Sequence, residues 1–224
     1  MAAIPSQADL VGLWRRGWIR AGGVEDAATR VLWHQGDATF ADLRVPADLP
    51  DMAGARALAD LDAAALAALA RCEGFAGRAA VVDGVCTWTR AINWRGPEAA
   101  PDVGRLALTD GGMIETGVHA EFSELWLRQD GGPVFTRRLA DGTGRRAFIV
   151  WTEALFTLGI GDPATKAGPP LEARLAKALA DGDRAALAAI LAMEFSHGVF
   201  DGGDARVTLS TIPPRVGARP FGRA

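Results

Sequence analysis

The densest group of residues able to do acid–base chemistry is Glu115, His119, Glu121 and Glu124. A carboxylate beside a histidine raises the imidazole pKa and fixes its tautomer, the composition of a general acid/base pair. Alternate residues of an extended strand share a face, which would put His119 and Glu121 roughly 7 Å apart. Glu115 joins them if the strand runs on through Gly117. The same residues also read as the polar lining of a binding pocket. Glu121 and Glu124 read equally as the solvent side of a strand whose other face is Leu125 and Leu127.

Two further strands pair charge with aromatic rings. Over Val85 to Arg95 one face carries Cys86, Trp88, Arg90, Ile92 and Trp94. An arginine between two tryptophans can stack on the rings and still donate to a carboxylate, which makes an anion clamp inside an aromatic cavity. On an outer face the same arginine would simply cover the rings with its stem. Over Thr39 to Val45 one face carries Phe40, Asp42 and Arg44, the other Thr39, Ala41, Leu43 and Val45. Asp42 and Arg44 are a polar pair in the cavity if that face points inward, and a weak solvent ion pair if it does not. Trp33, Phe40 and Trp126 complete the candidate ligand wall.

Other chemistry finds little support. The three histidines, His34, His119 and His197, have no zinc spacing, so no metal is expected. His34, between Trp33 and Gln35, reads as a hydrogen-bonded structural residue. There is no Gly-x-x-x-x-Gly-Lys, no Gly-x-Ser-x-Gly and no Cys-x-x-Cys, and no cofactor is expected.

The elements that must position these groups are short strands. Leu10–Ala21, Thr29–Gln35 and Thr39–Val45 come first. Then Phe75–Val82 and Val85–Arg95 flank Asp83-Gly84, a strong hairpin turn. Arg105–Thr109, Met113–Val118, Glu121–Gln129, Val134–Leu139 and Arg145–Leu158 follow, punctuated by Asp110-Gly111-Gly112, Asp130-Gly131-Gly132 and Asp141-Gly142. A helix over residues 62–72 has Asp62 as its N-cap and Gly74 placed for a left-handed C-cap. Residues 171–193 form a helical hairpin, with Gly182 ending one helix and Asp183 capping the next. Residues 194–212 supply closing strands, and 213–224 form a loose tail. The whole of 1–224 reads as one domain, with the barrel meander over 10–158.

The chain of 224 residues is long enough to bury a core without disulfides. Cys72 and Cys86 therefore read as free thiols in a reducing compartment. A net charge of −3 opposes nucleic-acid binding. No run of about 18 apolar residues is present, and Met1–Asp9 lacks a basic leader, so a cytoplasmic protein without membrane partners is expected.

Gly12-Leu13-Trp14 opens the first strand, and the Asp-Gly meander follows it. On these features residues 10–151 resemble the calycin superfamily, which includes lipocalins and fatty-acid-binding proteins. The resemblance implies that Trp14 plugs the closed end of an antiparallel barrel and that a late-strand arginine, Arg128 or Arg146, stacks over it. It also raises His197 as a haem ligand, since some calycin relatives bind haem through one histidine. The chain further resembles uncharacterised bacterial lipocalin-like proteins, through Phe40–Pro46, Gly74–Gly77 and Ile114–Gly117, a family that brings no activity with it. The early helix and the helical hairpin depart from a standard lipocalin.

Three functions follow. The first is non-enzymatic binding of a small, partly apolar and possibly acidic molecule, oriented by Arg44, Arg90, Glu115 and His119. The second is an enzyme in the same cavity, with His119 and Glu115 or Glu121 as acid and base. The third is a protein-interaction domain whose barrel is packed shut. Ligand identity and oligomeric state are not encoded in any motif found.

Overall fold

The computed structural model describes residues 3–220 apart from 53, 98–99, 131 and 165–167, so Gly131 and the last four residues of the tail lie outside the description. Nine strands form the first sheet: β1 (Gly12–Ala21), β2 (Val24–Asp26), β3 (Arg30–Gln35), β4 (Thr39–Val45), β5 (Glu73–Val82), β6 (Val85–Asn93), β7 (Asp102–Thr109), β8 (Gly112–Gly117) and β9 (Phe122–Asp130). Each pairs antiparallel with its neighbour, and β9 returns to pair with β1. The result is a closed barrel of eight strands, with the short β2 extending the partner edge of β1. Turn chemistry sets the register. Asp83 and Gly84 both have positive φ, +49° and +74°, as a two-residue hairpin that follows strand twist requires.

The barrel ends at Asp130, not at Leu158 as the meander suggested. Both hydrogen-bonding edges of β9 are already occupied, by β8 and β1, so the chain has no barrel edge left to extend. It starts a second antiparallel sheet instead: β10 (Phe135–Ala140), β11 (Arg146–Trp151), β12 (Leu155–Gly161), β13 (Glu194–Asp201) and β14 (Asp204–Ser210). The expected strand 145–158 is two strands. Thr152 Oγ1 accepts from the amides of Ala154 and Leu155 and turns the chain between them. The strands over 194–212 complete this second sheet rather than closing the barrel.

The helices follow their caps. α1 is one turn, Gln7–Leu10, so Leu10 ends a helix rather than starting a strand. α2 (Ala63–Leu69) starts where Asp62 accepts from the Ala65 amide at 2.8 Å. α3 (Leu171–Ala180) and α4 (Arg184–Ile190) form the expected hairpin, with Gly182 at φ +64° and Asp183 accepting from Ala186 at 2.9 Å. Gly74 is not a C-cap. It lies in β5, where an added Cβ would fall 2.2 Å from the Phe195 ring. Part of the tail is held, because Val207 and Gly217 donate to Ala218 and Val207 respectively.

The larger core lies between the outer face of the barrel and the second sheet. Ala41, Leu43 and Val45 of β4 meet Ile92, Trp94, Phe148, Val150 and Phe195, and the three longer helices cover the margin. This explains why β4 is buried on both faces. Where β3 crosses the second sheet, His34 Nδ1 lies 3.3 Å from Thr157 Oγ1, which lies 3.0 Å from His197 Nδ1. His34 is thus the structural residue expected. His197, proposed from the resemblance as a haem ligand, is bonded to a threonine and buried among protein atoms. Cys72 and Cys86 are free and buried.

Candidate functional site: a charged cavity in the barrel

One end of the barrel is shut. Leu10 of α1 accepts a hydrogen bond from Trp14 Nε1 at 2.7 Å, and the indole is buried. Arg128 lies over the Trp14 ring at 4.7 Å and donates to the carbonyls of Val11 and Asp9. Of the two arginines considered, Arg128 is the one that stacks; Arg146 lies on β11 of the second sheet.

Above this plug is a cavity of about 180 Å³. Inward residues come from the alternation of each strand. β4 contributes Asp42 and Arg44, β6 Trp88 and Arg90, β8 Glu115, and β9 Glu124 and Trp126. Trp33 and Phe75 supply more aromatic wall, and Ile19 and Phe122 lie at the open side. Trp33 packs edge-on against both Trp88, at 5.6 Å, and Trp126, at 5.4 Å. Seven of the predicted ligand-wall residues therefore meet in one place: Trp33, Asp42, Arg44, Trp88, Arg90, Glu115 and Trp126.

Three predicted residues are elsewhere. Phe40 is inside the barrel but beneath the cavity, packed on Phe75 at 6.1 Å. Trp94 is outside, against Phe195 at 6.4 Å. The cause is a β-bulge: Gly77 pairs with Arg90 and Ala76 with Ile92, leaving Ala91 unmatched. One extra residue inverts every following face, so Ile92 and Trp94 leave the Trp88–Arg90 side. At the bulge an added Cβ on Gly77 would fall 2.0 Å from the Thr89 carbonyl. His119 is exposed in the loop after β8, because the strand stops at Gly117. It lines a separate open groove with Arg20, Glu121 and Phe122. The acid/base group of His119 with Glu115 is not assembled.

Sequence reasoning missed Phe75, Asp102, Arg16 and Asp26. Phe75 carries two guanidiniums over its ring, Arg90 at 3.6 Å and Arg44 at 4.8 Å. Asp102 accepts from Arg90 Nη2 at 2.6 Å, and Arg44 Nε donates to Asp42 at 2.9 Å. Arg16 donates to Glu124 at 3.1 Å and to Asp26 at 3.0 Å. The even spacing of Trp14 and Arg16 on β1 was the available signal for Arg16.

Burial dominates the electrostatics. It pushes Glu115 up to about 8, and the neighbouring Glu124 charge adds to this while the hydrogen bond from Trp126 opposes it. Glu124 also rises through burial, resisted by Arg44 and Arg16. Burial raises Asp42 against the pull of Arg44. Burial alone would loosen the Arg44 proton, but Asp42, Glu124 and Glu73 outweigh it and raise the pKa. The buried histidines shift the other way, His34 to about 3 and His197 to about 4, through loss of water and, for His34, the proximity of His197.

These shifts define a pH profile of stability. Above about 6.5 both histidines are neutral, folded or unfolded. As pH falls from 6.5 toward 4 and 3, the unfolded chain takes protons that the folded one cannot. Each histidine then lowers stability by about 1.4 kcal/mol per pH unit. Glu115 has the opposite sign: its contribution is full below 4.5 and is lost as pH rises toward 8. Stability is therefore expected to peak near the histidine midpoint and decline on both sides. Urea denaturation across pH checks this; in Glu115→Gln the decline above the peak should become shallower, the part from Glu124 and Asp42 staying, and the acid limb should remain.

No protein-family model matches the chain, and no curated protein sequence matches it. Among solved structures it is similar to the crystal structure of the uncharacterized protein YLR301w from Saccharomyces cerevisiae. The TM-score is 0.56 at 12% identity, over 88% of this chain and 84% of the yeast chain. The likeness is one of fold. Among the described residues, no helix is long and apolar enough to cross a membrane.

Proposed function

We propose that this calycin-like barrel binds a small molecule in its interior cavity without transforming it. The observation that carries this reading is the cavity itself, about 180 Å³ in the middle of a barrel closed below by Trp14. A cavity of roughly 150 Å³ suffices for a molecule the size of benzene, so the ligand is about one ring in size. The three indoles give the apolar wall and the charged groups give orientation, the usual division of labour in ligand pockets. The open interior weighs against an interaction domain with a packed barrel. The separation of His119 from Glu115 weighs against the acid/base reading that used both.

Trp33, Trp88 and Trp126 report on occupancy, since all three line the cavity. Ring-sized compounds of varied polarity are expected to change tryptophan fluorescence saturably. Ile19→Trp, which fills the open side, should weaken that response at least tenfold. If no member of a diverse panel gives saturation, the binding reading fails.

A further inference from the structure

The charges in the cavity select among ligand classes. Each guanidinium already holds a carboxylate: Arg44 holds Asp42, Arg90 holds Asp102, and Arg16 holds Glu124 and Asp26. An incoming carboxylate would have to displace one of these. Glu115 is different. It is 5% exposed and lines the cavity, its Oε2 accepts from Trp126 Nε1 at 2.9 Å, and no donor bonds Oε1 among the described residues. Among the described residues no guanidinium pairs with it. Its register partner across β8 and β9 is another carboxylate, Glu124. Gly104 lies against it, and a Cβ there would fall 2.6 Å from Oε1, so the carboxyl occupies space that a side chain on β7 would fill.

The aromatic wall favours the same sign of charge. Cations are attracted to the faces of indole and phenyl rings, tryptophan most of all. The protein already seats two cations on Phe75. Four carboxylates and two guanidiniums therefore line a tryptophan-walled space, and Glu115 is the acid among them that no guanidinium holds among the described residues.

Resting on the reading of this cavity as a binding site, we infer that it selects a small organic cation, a primary ammonium on a body of about one ring, with Glu115 as the carboxyl that receives it. The ammonium donates to Glu115 Oε1, and the apolar body lies among Trp33, Trp88 and Trp126. Glu115 is protonated near neutrality in the empty barrel, so seating a cation releases that proton to solvent. The groups that face Glu115 act in both directions. Glu124 and Asp102 favour the cation, and Arg44 opposes it; buried Cys86 on β6 stays a neutral thiol.

The experiment is calorimetric titration of the intact chain with benzylamine, benzyl alcohol and benzoate, at about pH 6 and about pH 8.5. These span the ionisation of Glu115 while the amine stays largely charged. Benzylamine is expected to bind saturably, tightening by up to about tenfold per pH unit below the Glu115 midpoint and releasing a proton. Glu115→Gln, verified as folded by circular dichroism, should bind at least tenfold more weakly at the higher pH and lose the pH dependence. Binding of benzyl alcohol or benzoate in preference to the amine overturns the choice of a cation and leaves the cavity as a binding site. Benzylamine binding that is unchanged in Glu115→Gln overturns the role of Glu115. If none of the three binds, the cation inference fails, and the wider fluorescence panel decides the binding reading separately.

Discussion

Arg44→Met is expected to destabilise the protein by about 3 kcal/mol at neutral pH. Removing one partner of a buried ion pair typically costs about 3–5 kcal/mol, because the other charge is left without compensation. Asp42, at 2% exposure, is that charge. The low end of the range applies because 22% of the Arg44 side chain stays open to solvent. The cost has a pH signature. Burial already raises Asp42, and without Arg44 its folded pKa climbs further above the unfolded 3.8. The remaining stability is then fuller at low pH and is lost as pH rises, so the variant should compare best with the wild type under acid. Asp42→Asn combined with Arg44→Met should recover most of the loss, since a neutral amide leaves no buried charge. Guanidinium denaturation of the three proteins near pH 5 and near pH 7.5 measures this. A loss below about 1 kcal/mol at both pH values would mean that water screens the pair.

This pair shows where the sequence is legible. Period-two alternation placed Phe40, Asp42 and Arg44 together, and the structure puts that face inside. Deciding inward from outward needed the second sheet, whose burial of Ala41, Leu43 and Val45 forces the other face toward the barrel axis. The Asp-Gly turns were equally readable, because positive φ restricts the residues that can occupy them. Trp94 was misplaced for a reason invisible to alternation. The unmatched Ala91 opposes no residue on β5, and a bulge depends on the partner strand as much as on its own. His119 failed similarly, since Gly117 ends β8 and carries the histidine into a loop. The barrel boundary at Asp130 follows from ring closure between β1 and β9, a contact over more than a hundred residues. Local sequence has no marker for it, and the next Asp-Gly turns look the same on either side. Phe75 was missed because its role comes from two arginines on other strands.

Trp14→Ala should cost more than any change at the cavity wall, about 3–5 kcal/mol. The indole is 2% exposed and stacks on Trp33 at a centroid distance of 6.3 Å and an interplanar angle of 25°, so truncation leaves a void at the foot of the barrel that rigid strands cannot close. It also removes the donor that holds Leu10 and hence the α1 turn over the closed end. Trp14→Phe should cost less, since it keeps ring packing and loses only the hydrogen bond and part of the volume. Arg128→Ala tests the cap from the other side. An exposed cation over a ring contributes about 0.5–1 kcal/mol, and Arg128 also bonds the carbonyls of Asp9 within the turn and Val11 just after it. The two truncations share these contacts, so their effects should fall short of additive by about 0.5–1 kcal/mol in a double-mutant cycle. Strict additivity would mean that Arg128 holds the chain at Val11 without drawing on the ring. In either case the plug is separate from the cavity wall. It sets how firmly the barrel is closed below, while Glu115 and the three indoles face the space above.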